Sequence, residues 1–279
     1  MDGPHGLGVT ARDFGLRGPR GWTFRGVHVD AGPGSLVAVE GPSGTGRTCL
    51  LLALTGRMKP TQGVAVVGEF ELPRQMTALR RVSAVANVAG VTDLDPALTV
   101  GEHLAERALL QRRFGGPLRG LLRPRAERRA EATERVGTAL AAAGLDPECL
   151  PKGSRTAVRD LERLEALRLS VALALIGRPG LLGVDDTDLK LSEAERAQVW
   201  ALLRSLTEAG TTVVAVCAEA PEDAVRVTTQ VAGTPEAADT ARQEAEAAAM
   251  AVETEEAAVT AETAEDKEKA DAFTETGRS

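Results

Sequence analysis

Tyrosine is absent from this chain, cysteine and histidine occur three times each, and aromatic residues make up 3% of its 279 residues. Each scarcity excludes something. Cys49, Cys149 and Cys217 are odd in number and far apart. They form neither a zinc spacing nor a disulfide framework, which favours a reducing cytoplasm. His5, His28 and His103 are scattered, with no ligand spacing and no nucleophile pattern beside them. No apolar run approaches the ~18 residues of a bilayer-spanning helix. The longest runs, Cys49 to Leu54 and Leu169 to Ile176, suit buried elements instead. The first ten residues, MDGPHGLGVT, lack the basic start and apolar stretch of a secretory signal. What is present is 43% hydrophobic residues. That is enough for a large core, and it excludes collagenous, mucin-like and wholly disordered chains. The length fits one or two domains.

The net charge of −7 is unevenly spread. From Gly233 onward there are 13 acidic and 4 basic residues, whereas residues 1–232 hold 29 basic and 27 acidic ones. An acidic tail therefore follows a nearly neutral body. This balance gives no support to nucleic-acid binding, which usually needs a concentrated basic face, so nucleic acid is not an expected partner. Residues 233–279, rich in Ala, Glu and Thr, offer too little apolar surface to offset chain entropy, and we expect a disordered tail.

Along the body, Val27, Val29 and Ala31 alternate with polar neighbours, Gly32-Pro33-Gly34 turns the chain, and Leu36 to Val39 is a buried run. A helix is expected from Arg47 to Gly56, and strands at Val64–Val67 and Val82–Ala86. Residues 98–178 read as mainly helical. Leu161, Leu164, Leu167, Val171 and Leu175 follow a helical stripe, and arginines crowd positions 107–129. The arginine cluster reads first as a solvated helix face and second as a patch for acidic lipid or a membrane partner. Leu181 to Val184 is an apolar strand ending in Asp185-Asp186. Ser192 and Glu195 form a capping box for the next helix. Strands follow at Val213–Val216 and, as an edge, Val225–Val231. Alternating strands and helices indicate an α/β fold with a largely parallel sheet.

One stretch carries chemistry. Gly41-Pro42-Ser43-Gly44-Thr45-Gly46-Arg47-Thr48 differs by one residue from G-x-x-x-x-G-K-[ST]. Glycines let successive backbone N–H groups surround phosphate oxygens, and the helix N-terminus adds a partial positive charge. Thr48 would place a hydroxyl on Mg²⁺. Arg47 replaces the lysine, keeping the charge on a bulkier, planar group. The segments Leu51 to Gly56, Lys59 to Gly63 and Val66 to Gly68, then Ala172 to Pro179 and Leu181 to Asp186, resemble ATP-binding-cassette (ABC) ATPase subunits in kind and order. Asp185 stands 137 residues after Thr48, which leaves room for that family's helical insertion. The resemblance spans about residues 8–232.

The resemblance implies an α/β fold: a P-loop NTPase core with an antiparallel β-subdomain and an inserted helical subdomain. It places the nucleotide-binding domain at 1–232 and the helical subdomain at about 98–178. Mg-ATP is the implied ligand, with Gly41, Pro42, Ser43, Gly44, Thr45, Gly46, Arg47, Thr48 and Cys49 as the nucleotide-binding stretch. Thr48, Asp185 and Asn87 are the implied Mg²⁺ residues, and Asp186 the catalytic carboxylate. A separate membrane-spanning permease, a homo- or heterodimer of nucleotide-binding domains, and a cytoplasmic place at the inner face of the membrane are also implied.

Several positions depart from the family. Leu161-Glu162-Arg163-Leu164-Glu165 stands where a glycine-rich signature would clamp ATP across a dimer, and it reads as an ordinary helix start. Asp186 replaces a glutamate, Thr187 a proline, Ala218 the switch histidine and Asn87 a glutamine. Trp22, the nearest aromatic, reads first as a core residue and second as an adenine stacker. Displaced catalytic groups compound their losses in phosphoryl transfer. The expectation is an ABC-type ATP-binding subunit with weak hydrolysis. The alternatives are a non-hydrolysing regulatory or scaffold protein and, against the charge balance, a P-loop ATPase serving nucleic acid.

Overall fold

The structure, a computed structural model, describes residues 6–114 and 125–229. The expected tail, His5, and all side chains of the 107–129 arginine cluster except Arg107 and Arg129 lie outside what is described.

The chain starts with two long antiparallel strands, β1 (Val9–Gly18) and β2 (Gly21–Ala31). The pattern in β1 is broken. Val9 and Ala11 face the core, Asp13 adopts φ 47°, and Phe14 and Leu16 resume on the core side. The register shifts between Ala11 and Phe14 record that bulge. The parallel strand β3 (Leu36–Glu40) leads through a loop into helix α1 (Arg47–Leu54). Strands β4 (Gln62–Val67) and β5 (Phe70–Leu72) then complete an antiparallel sheet of order β2-β1-β4-β5.

Helix α2 (Met76–Val82) and strand β6 (Ser83–Ala86) follow. Next come helices α3 (Val100–Phe114), α4 (Arg125–Ala142) and α5 (Arg163–Leu175). The chain returns through β7 (Leu181–Val184), α6 (Glu193–Glu208), β8 (Thr212–Cys217) and β9 (Val225–Thr228). The second sheet, β6-β7-β8-β3-β9, is parallel throughout. The last strand is an edge of the sheet, as expected; it spans Val225–Thr228, and residues 230–231 of the expected run lie outside the described residues. The capping box of α6 is present, with Ser192 and Glu195 exchanging bonds.

Side-chain alternation in the parallel strands builds two cores. Val37 and Val39 of β3, with Val214 and Val216 of β8, face α1 and the inner face of the antiparallel sheet. Leu36, Ala38, Val213, Ala215 and Cys217 face α5 and α6 instead. Helix α1 is thus packed between two sheets, and Cys49 to Leu54 are all buried. A third cluster, with Val100, Leu104, Ala139, Leu169 and Ile176, joins α3, α4 and α5. The expected P-loop core, antiparallel sheet and inserted helices are therefore present.

Helix α4 carries an exposed glycine, Gly137, whose added Cβ would meet nothing within 4 Å. Gly137→Ala is expected to stabilise the chain by ~0.5–1 kcal/mol, since alanine loses less backbone entropy in a helix. A rightward shift of the urea midpoint checks this; an unchanged midpoint counts against it.

Candidate phosphate-binding site

Because every strand of the second sheet runs the same way, their C-terminal ends share one edge. Register fixes who meets there: Glu40 pairs with Cys217 and Thr228, and Ala86 with Val184. The residues just beyond, Gly41, Asn87, Asp185, Ala218 and Thr229, are therefore neighbours. Ligands of open parallel sheets bind at this edge.

The loop after β3 is shaped by glycine. Gly41, Gly44 and Gly46 have φ of 150°, 83° and 77°. Gly46 is also sterically compelled, because a Cβ there would lie 2.2 Å from the carbonyl oxygen of Thr23 on β2. The loop is braced internally. Thr45 Oγ1 donates to the Pro42 carbonyl at 3.0 Å, and Thr229 Oγ1 donates to Thr45 Oγ1 at 3.0 Å. Helix α1 begins at Arg47 with Gly46 as N-cap. No side chain caps it, and no acidic residue occupies its first turn. Its first N–H groups are left for an incoming anion.

Thr48, one residue into that helix, donates Oγ1 to Asp185 Oδ2 at 2.9 Å. Asp185 is buried, and its Oδ1 has no hydrogen-bond partner. Burial, then the neighbouring Asp186 charge, push its carboxyl up to about 6, against the bond from Thr48. An orphaned, buried carboxylate oxygen beside a threonine hydroxyl and an uncapped helix start fits Mg²⁺. That ion takes one or two carboxylates plus phosphate oxygens and water. No larger cage is required, and among the described residues no three His, Cys, Asp or Glu side chains group around a metal position.

Asn87 sits beside this pair in the left-handed region at φ 58°. Its Nδ2 donates to the Asp185 carbonyl at 2.8 Å, and its N–H donates to Ser170 Oγ of α5 at 2.6 Å. Asp186 is half-buried and also left-handed, at φ 47°. Arg47 Nη1 donates to the Cys217 carbonyl, at the end of β8. Cys49 is buried in α1. Burial, followed by the charges of Asp188 and Glu40, pushes the Cys217 thiol up to about 12, so it remains a small apolar group.

The segment at 161–165 does begin a helix. Glu162 is the N-cap of α5, and Glu165 reaches back in a capping box to accept the Glu162 N–H at 2.9 Å. The expectation for Trp22 needs correction. Its ring is half-buried rather than in the core; it overlies Gly15, and the Arg17 guanidinium stands 5.7 Å from the ring centroid. A bulge beside Arg17 takes Trp22 off the core face that Leu16 and Phe24 share. Sequence reasoning missed Thr23, Ser170, Asp188 and Thr229, which act through contacts between distant segments. Of these, Asp188, close behind the acidic pair, and Ser170, just before the stretch Ala172 to Pro179, stood near recognisable motifs.

Comparisons with known proteins agree with this fold. Residues 24–188 match the family model described as ABC transporter. The Nod factor export ATP-binding protein I of Cupriavidus metallidurans is 30% identical over 188 residues, 67% of this chain and 55% of that protein. The Fe(3+) ions import ATP-binding protein FbpC of Streptomyces avermitilis is 32% identical over 191 residues, 68% of this chain and 49% of that protein. ABC transporter G family member 21 of Arabidopsis thaliana is 32% identical over 65% of this chain and 25% of that protein. The chain thus spans from a quarter to about half the length of these curated relatives. Among solved structures, the fold is similar to that of cbiO1 from Clostridium perfringens, with TM-score 0.61 and 16% identity over 83% of this chain and 90% of that one. It is also similar to the dimeric bacterial ABC transporter cassette MJ0796, with TM-score 0.59 and 21% identity over 76% and 88%.

Proposed function

The chain belongs to the ABC transporter family, and from that premise we propose that it is the ATP-binding subunit of a membrane transport system, with impaired hydrolysis. The observation that carries the reading is the uncapped start of α1, whose Thr48 meets the buried, half-satisfied Asp185. In this reading, the stretch from Gly41 to Cys49 holds the phosphates of ATP through its backbone N–H groups, which Pro42 alone lacks. Thr48 and Asp185 hold Mg²⁺, with Asn87 beside them. The ion, when bound, supplies charge neutralisation of the phosphates. Arg47 adds a guanidinium at the mouth.

Three features support slow turnover. Asp186 is one methylene shorter than a glutamate, and its left-handed backbone re-aims it. Ala218 offers no imidazole. Glu162 and Glu165 occupy the start of α5 with their own carboxylates, which disfavours a second phosphate there. No described helix is long and apolar enough to cross a membrane. A separate permease and a second nucleotide-binding domain are the proposed partners, at the inner face of the membrane. The self-capped α5 also favours a second reading, a subunit that binds nucleotide and regulates without hydrolysis.

Calorimetric titration of the full chain tests the first claim. Saturable binding of Mg-ATP is expected below millimolar nucleotide, and no binding at millimolar concentration removes the reading. Steady-state turnover separates the two versions. A rate below ~1 per second that Asp186→Asn lowers several-fold supports slow hydrolysis. No turnover above background supports the regulatory version. Many turnovers per second, abolished by Asp186→Asn, would show the geometry to be competent.

A further inference from the structure

Beyond the phosphate loop, one peptide bond is gripped from both ends by opposite charges. The carbonyl of Cys217 accepts Nη1 of Arg47, and the N–H of Ala218, in the same peptide unit, donates to Asp188 Oδ2. A peptide is a rigid planar dipole, so fixing its N–H fixes the direction in which its oxygen points. The same segment is stitched once more. Thr187 donates both its N–H, at 3.1 Å, and its Oγ1, at 2.9 Å, to the Val216 carbonyl. A proline at 187 would have neither donor. Three successive residues at the end of β8 are therefore held by side chains or backbone from α1 and from the loop after β7.

Arg47 is the cation of the phosphate loop, and it has five N–H donors in a rigid fork. One is parked on the Cys217 carbonyl. Fixing that one donor aims the rest of the plane, which a lysine ammonium could not reproduce. We propose that Asp188 is a positioning residue for Arg47, acting through the peptide between Cys217 and Ala218 to hold the guanidinium ready for phosphate. This assignment rests on the nucleotide-binding reading for its purpose, but not for its geometry. It also gives a reason for an acidic side chain so near an anion site. The carboxylate opposes phosphate through space, yet it orients the group that attracts phosphate.

These two effects have opposite signs, so they can be separated. Asp188→Asn removes the charge and keeps an oxygen that can accept the Ala218 N–H. Asp188→Ala removes both. If Asp188 positions Arg47, Asp188→Ala weakens Mg-ATP binding ~5–10-fold, about the worth of one hydrogen bond. Asp188→Asn stays within ~2-fold of the unmodified chain, and Asp188→Ala costs less than ~2-fold when Arg47 is already alanine. If the carboxylate acts only as a repelling charge, both substitutions tighten binding. Equal losses with and without Arg47 would mean a merely structural role. Either result overturns the assignment.

A nucleotide-free measurement keeps the two proposals distinct. In ¹⁵N spectra of the full chain, the Arg47 guanidinium is expected to show restricted Cζ–Nη rotation, retained in Asp188→Asn and lost in Asp188→Ala. That signature in a chain that fails to bind Mg-ATP would sink the nucleotide reading and leave the positioning role standing. Free rotation in the unmodified chain would sink the positioning role alone.

Discussion

Asp185→Asn is expected to stabilise the nucleotide-free chain at neutral pH while destroying its affinity for Mg-ATP. Both halves follow from one buried carboxyl. Its folded-state value, about 6, lies above the 3.8 of an ordinary aspartate. The folded form therefore binds this proton more tightly than the unfolded form. That contribution to stability is fully present below about pH 4 and is lost as pH rises through about 6. Above that, ionised Asp185 costs the empty chain up to about 3 kcal/mol. Asparagine is neutral throughout and still offers Oδ1 to Thr48. The melting temperature of Asp185→Asn should therefore exceed that of the unmodified chain by several degrees at pH 7.5, with the gap closing towards pH 4. Calorimetric melts across that range check it, and a lower melting temperature for the variant at pH 7.5 would contradict it.

Ligand binding reverses the balance. A dication beside Asp185 favours the charged form, so the carboxylate that burdens the empty fold becomes a ligand for the filled one. Loss of that charge should weaken Mg-ATP binding ~100-fold or more, on the scale of removing one partner from a buried ion pair. Affinity in the unmodified chain should also fall as pH drops through about 6, because the proton on Asp185 must leave before metal binds.

The second large effect is expected at Gly46. An alanine there adds a Cβ 2.2 Å from the Thr23 carbonyl oxygen and 2.9 Å from its carbon, both main-chain atoms of β2. Neither can rotate away, so the loop or the strand must shift. The backbone at φ 77° adds a second penalty for any residue with a Cβ. Gly34 separates the two causes: its φ is 74°, but the nearest atom to its added Cβ is the Thr207 oxygen at 3.5 Å, ordinary contact. Gly34→Ala should cost ~1–2 kcal/mol from backbone strain alone. Gly46→Ala should cost ~4 kcal/mol or more, or leave the chain unfolded. Urea midpoints measured side by side test this, and equal losses would mean that the Thr23 contact yields easily.

Much of this architecture is legible in the residues because local rules and tertiary packing agree. The run Leu36 to Val39, the glycine loop and the apolar helix after it each have a pattern that survives folding. Strand β1 does not. Its two-residue alternation slips at Asp13, where the chain bulges, and Phe14 lands on the core side out of phase with Val9 and Ala11. Strand β5, three residues long, and the seven-residue helix α2 are too short for any period to register.

The site divides similarly. Thr48 and Asp185 belong to motifs, so their meeting across 137 residues can be anticipated. The grip of Arg47 on Cys217, of Asp188 on Ala218 and of Thr229 on Thr45 follows only from which strands lie side by side. Sheet order is a property of long-range packing, and no neighbouring residue announces it. Trp22 shows the limit of composition. A large aromatic in a chain poor in aromatics suggests a core, yet a bulge next to its partner strand turns it to the face where Arg17 covers it.

Helix α1 lies between two sheets with its last six residues sealed from solvent. Counterions cannot reach its flanks, and the low-permittivity jacket around it does not dampen the field of its aligned peptide groups. That field emerges only at the glycine loop. Ionic strength therefore acts on the approach of a charged ligand from outside and hardly at all on the attraction it meets once seated.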